Sequence, residues 1–227
     1  MFTVSIERGP KRRSLAQAQG WLGWLRTGKD DASALQDLFS TSTRYALVAN
    51  RAGVPFSAPH ALSDFTIVDR VAGNSVTDFG APGVLTMWDT DPWQVEEIDQ
   101  CTRLLQACWA IWDETYQAIP SVLQQTIPAR GRSPFEMRLH MIETDLMHLS
   151  AFGPAAKKAD PKRLDEQESE ARQQIILGLQ AIVPGQQITA QRRYGFDWTT
   201  RFAVRRSAWH ALEHAWDLQD RLNQGDT

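Results

Sequence analysis

The hydrophobic residues of this chain change their period near residue 90, which restricts it to a small sheet-bearing part followed by packed helices. The opening residues, MFTVSIE, alternate Phe2, Val4 and Ile6 with Thr3, Ser5 and Glu7, as a strand with one buried face does. Gly9-Pro10 is a turn dipeptide, so a second extended piece around residues 14–18 is expected to pair back as a hairpin. After Gly20, Gly23 and Gly28, the Asp30-Asp31 pair caps a helix predicted to run to about residue 52, with Leu35, Leu38, Tyr45 and Ala49 on one face. FTIVDRV, residues 65–71, returns to strand character. Residues 73–91, rich in Gly, Asp, Thr and Pro, read as a linker.

Beyond that segment the apolar period is helical. Four helices are predicted, at about 92–118, 134–152, 161–182 and 198–223. Asp91-Pro92, Ser133-Pro134 and Asp160-Pro161 each read as an N-cap followed by proline at the first helical position. Helices of this length with these connections favour a four-helix bundle. The expected organisation is therefore α+β: a ββαβ module at 1–72, a linker at 73–91 and a bundle at 92–227.

Composition narrows the function classes. The chain has 227 residues, 42% hydrophobic and 22% charged, with nine tryptophans, as an ordinary globular protein rich in indole would. A formal charge of −3 gives no field for a phosphate backbone, and the one basic cluster, Lys11-Arg12-Arg13, looks like a hairpin turn, so nucleic acid is not an expected partner. No apolar run approaches the roughly 20 residues of a spanning helix, and the start lacks a signal-peptide stretch; no membrane and a cytoplasmic location are expected. Cys101 and Cys108, two helical turns apart, suit a core better than a disulfide or thiolate metal site, and Trp88, Trp93, Trp109 and Trp112 read mostly as core.

The residues that carry chemistry are histidines. In RRSAWHALEHAWDLQDR, His210 and His214 stand four apart on one helical face. That face also carries Glu213, Asp217 and Arg221, opposite Trp209, Leu212 and Trp216, so the helix alone leaves a solvated pair and a chelating pair both open. His140, in EMRLHMIETDLMHLSAF, lies off the stripe formed by Phe135, Leu139, Ile142, Leu146 and Leu149 and is the candidate third ligand. His148 competes for that place, about 80° round the helix, and His60 reads as a surface residue. Three neutral imidazoles leave a fourth position open, the arrangement of a catalytic rather than a structural ion. Glu213 or Asp217 would orient an imidazole or accept a proton, against the plainer reading of salt bridges to Arg206 or Arg221. H-x-x-E-H peptidase chemistry is set aside because only thirteen residues follow His214, and a di-iron site because no E-x-x-H pairs occur.

Two resemblances add to this reading. WLGWLRTGKDDASAL, within residues 1–71, resembles the small domain of HicB-type antitoxins, which implies an α+β module that packs or dimerises, so a homodimer is an expectation. RRSAWHALEHAWDLQDR and MRLHMIETDLMHLSAFG resemble the last and second helices of DinB-like (YfiT-type) four-helix bundles. That resemblance covers about 92–221 and implies His140, His210 and His214 as ligands of one divalent transition metal, Zn, Ni or Fe, with His148 outside the site. It further implies a metal-dependent thiol transferase, isomerase or hydrolase acting on a small molecule, with a low-molecular-weight thiol such as mycothiol or bacillithiol as partner. The alternative is a ligand-binding or assembly module without a metal. Because model imidazoles titrate near 6.5, bound metal is expected to be released as pH falls through about 6.

Overall fold

The computed structural model describes residues 1–124, 131–153, 158–186, 190–193 and 196–224 of a mixed α+β chain. β1 (Phe2–Arg8) and β2 (Ser14–Ala18) form the expected hairpin. A strand that the sequence pattern does not signal, β3 (Leu25–Gly28), then pairs antiparallel with β2 in the glycine-bearing stretch before the first helix. The single helix expected over about 30–52 is two, α1 (Asp31–Ser40) and α2 (Ser42–Arg51). Asp30 caps the first as anticipated, its carboxylate accepting from Ser33 N at 2.8 Å. The break falls at Thr41, whose hydroxyl donates to the Asp37 and Leu38 carbonyls and so competes with the helical ladder. β4 (Phe65–Ala72) adds parallel to β1, and the sheet order is β3-β2-β1-β4.

The strand alternation predicts solvent for Ser5 and Glu7, yet both are buried. The cause is the segment predicted as a linker. Residues 73–91 lie on the second face of the sheet, where α3 (Ser75–Asp78) and α4 (Met87–Thr90) form, and Glu7 Oε1 accepts from Gly83 N at 2.9 Å and from the Thr77 hydroxyl. Trp88 and Asp89 of the same segment are buried.

The remaining helices are α5 (Val95–Gln117), α6 (Ser121–Gln124), α7 (Pro134–Leu149), α8 (Leu164–Gln180) and α9 (Thr200–Gln224). α5 packs on α8 and α9, and α7 packs on the same two, closing a ring of four long helices. Ser133-Pro134 starts α7 as the sequence suggests, with Ser133 Oγ accepting from Glu136 N at 3.2 Å. Asp91 and Asp160 are not N-caps: α5 and α8 begin after Gln94 and Arg163, and Asp91 instead ends α4. An unanticipated short hairpin, β5 (Gln191–Arg193) with β6 (Phe196–Trp198), precedes α9.

One apolar core runs from Phe2 and Trp24 in the sheet half through Leu104 and Cys108 on α5 to Leu212 and Leu218 on α9. Both cysteines are free and buried in it, and burial pushes their thiols up. Trp88, Trp93, Trp109 and Trp112 are buried as well. Helix α9 is enclosed on most sides, because α5, α7 and the segment before α5 cover it. No described helix is long and apolar enough to cross a membrane.

Candidate metal centre

Helix α7 carries His140 and helix α9 carries His210 and His214, and the packing of the two brings the three rings together. His210 Nε2 lies 3.1 Å from His140 Nε2 and 2.9 Å from His214 Nε2. Two nitrogens each about 2.05 Å from one ion stand about 2.9 Å apart at a right angle and about 3.3 Å apart at the tetrahedral angle. The observed spacings fall within this range. The ring planes of His140 and His210 cross at 89°, so the two imidazoles meet edge to face, not stacked. Among the described residues this trio is the one group of His, Cys, Asp or Glu side chains that can hold a metal ion.

The protonation pattern suits that role. Thr144, one turn beyond His140, donates its hydroxyl to the His140 and Met141 carbonyls at 2.7 and 2.9 Å. Its lone pair then faces His210 Nδ1 at 3.0 Å. A hydroxyl already donating can only accept from the ring, so the network assigns the proton of His210 to Nδ1 and leaves Nε2 a bare lone pair at the centre of the trio. Second-sphere partners of this kind fix the orientation and tautomer of a ligating imidazole. The sequence reading missed Thr144 as the orienting group, although it stands four residues after His140 on the same face.

Burial and mutual proximity keep all three rings neutral. His140 is pushed down to about 4, by burial first and then by Arg132, His148 and Arg206. His214 is pushed down to about 3, by burial and then by His140. His210, 7% exposed, lies well below the usual range, by burial and then by its two neighbours. Far from a solvated pair, these are imidazoles held in the form that binds a cation.

The other candidates sort differently. Glu213 pairs with Arg26 of β3 at 2.9 Å, instead of Arg206 or Arg221, and Asp217 pairs with Arg221 at 2.6 Å as the helical spacing suggests. The hydrogen bond to the trio from outside it comes from Thr144. His148 is buried, with Nδ1 3.6 Å from Asp145 Oδ1 and its ring against Trp198, and does not join the trio. His60 is exposed in its loop.

A cavity of about 410 Å³ opens onto the three imidazoles. A larger one, about 500 Å³, lies between α5, α7 and α8, but its charged side chains answer one another: Arg138 with Asp165 and Glu168, Arg172 with Asp113. The first is therefore the candidate binding site. No protein-family model, curated protein or solved structure matches the chain.

Proposed function

We propose that the protein is a mononuclear metalloenzyme of DinB-like type, its ion held by His140, His210 and His214, with a HicB-like module preceding the helical ring. The observation that carries this reading is the meeting of three neutral imidazole Nε2 atoms, the central one with its tautomer set by Thr144. A donor set of three imidazoles fits Zn, Ni or Fe. Bound there, the ion would supply a Lewis-acidic position and lower the pKa of a thiol or water placed on it. The protein's own residues supply the rest. Thr144 orients His210, and Glu213 stands at the cavity as an acidic group restrained by Arg26. The reaction class is transfer, isomerisation or hydrolysis on a small molecule, with a low-molecular-weight thiol as candidate co-substrate.

Elemental analysis of the purified full chain tests this. About one transition-metal ion per chain is expected, lost in His210→Ala and His140→Ala variants that keep their helical circular dichroism. Wild-type protein that neither contains nor takes up zinc, nickel or iron would leave the non-catalytic ligand-binding module as the better reading.

A further inference from the structure

The wall of the metal-site cavity is one-sided in its chemistry. Arg13 reaches it from the β1–β2 turn, Arg132 from just before α7, and Arg206 from α9, one turn before His210. Arg206 Nη1 donates to the Pro82 carbonyl at 2.9 Å, which braces it against the segment that covers the sheet. Glu213 is the one acidic side chain among the described residues lining the cavity, and Arg26 already engages it. Trp209, 7% exposed, also lines the cavity. A cavity lined by three guanidinium groups, whose single acidic side chain is already engaged, is one that favours an anion. At its rim Phe79, 86% exposed, offers an apolar surface.

We infer that this cavity takes a small organic acid, its carboxylate among Arg13, Arg132 and Arg206 and its reacting end toward the three imidazoles. A guanidinium matches a carboxylate bidentately, and such charge-assisted bonds are the strong ones. The placement of the reacting end rests on the metallic reading above; the recognition of the carboxylate does not. The inference also gives the N-terminal half a role, because Arg13 and Phe79 belong to it and so select what reaches residues on α7 and α9.

The test is calorimetric titration of the full chain, zinc-loaded and metal-free, with 3-mercaptopropionate and with 3-mercaptopropanol, which differ in the carboxylate. Zinc uptake is measured on the same preparations. The acid should bind about tenfold tighter or more than the alcohol. That preference should collapse in Arg13→Gln/Arg132→Gln, a pair of exposed positions whose replacement leaves the core intact, and in Arg206→Gln if that variant folds. Equal affinities, no detectable binding of the acid, or a preference that survives the double substitution would overturn the inference while leaving zinc binding as it is. If zinc fails to bind, the metallic reading fails, and the acid-to-alcohol ratio on the metal-free chain still decides this one.

Discussion

Arg205 and Asp89 are 2% and 0% exposed and face each other through two hydrogen bonds, Nε to Oδ1 at 2.9 Å and Nη2 to Oδ2 at 2.7 Å. Arg205 also donates to Gln17 Oε1 on β2 at 2.6 Å and to the Val84 carbonyl at 3.0 Å. One guanidinium thus joins α9, the hairpin and the segment between them. A buried ion pair is weak evidence of stability in itself, but removing one partner leaves the other charge uncompensated. Arg205→Ala should destabilise the chain by about 3–5 kcal/mol, read from urea unfolding. A loss below about 1 kcal/mol, the range of an exposed pair, would mean that solvent reaches Asp89.

Thr144→Val keeps the shape of the side chain and removes the acceptor for His210 Nδ1–H. Metal affinity should fall about 10–100-fold, with Thr144→Ser restoring most of it. Unfolding free energy should change by no more than about 1 kcal/mol, the usual range of one hydrogen bond. Competition with a chromophoric chelator gives the affinities. An unchanged zinc constant in the valine variant would show that the tautomer is set by something else.

The low pKa values of the trio move the acid threshold. In the unfolded chain each histidine titrates near 6.5, whereas in the folded chain His140 is held to about 4 and His214 to about 3. Between those limits the unfolded state binds more protons, so stability falls as pH falls. The contribution of these rings is whole above about 6.5 and is lost progressively toward 4 and then 3. Metal-free protein should therefore show a declining melting temperature below about pH 6.5. Zinc should stay bound at pH 5 and leave only as pH approaches 4, lower than the value near 6 that free imidazole implies. Half-release of zinc at pH 6 would contradict the burial of the site.

Gly23 has φ +84°, and a Cβ there would stand 2.6 Å from Leu212 Cδ1 and 3.0 Å from Cys108 Sγ. Gly23→Ala combines left-handed strain with overpacking and should cost about 2–4 kcal/mol. Because Leu212 lies between His210 and His214 on α9, the displaced helix should also bind zinc more weakly. Chelator competition and thermal melts on one preparation check both effects, and a variant as stable as wild type would show that α9 yields without strain.

What could be read from the sequence followed from local rules. The pairing of His210 with His214 needs only helical spacing, and Asp30 and Ser133 cap helices because each precedes a residue placed to return the bond. The features that were not legible depend on distant partners. β3 is four residues among glycines and exists because β2 offers it an edge. Glu7 looks solvent-facing until residues 73–91 cover it, and Arg205 looks like one more polar residue on α9 until Asp89 meets it. His210 was assigned by pattern to a polar face; in the folded chain α7 covers that face, which is why it became a cluster of neutral rings.

The bond from Arg205 to Gln17 spans 188 residues. At about 5–20 residues per second, translation delivers the arginine about 10–40 s after the glutamine. For that interval Gln17 has no guanidinium to meet and Leu15 and Leu25 have no Trp209 to pack against, although residues 73–91 have by then been made and can answer Glu7. Assembly of the three imidazoles is delayed in the same way, since His210 and His214 sit on that late helix. The nascent chain therefore spends that time as a sheet only partly covered, and its yield in cells should respond to chaperone supply and to lower growth temperature more than the stability of the finished protein suggests.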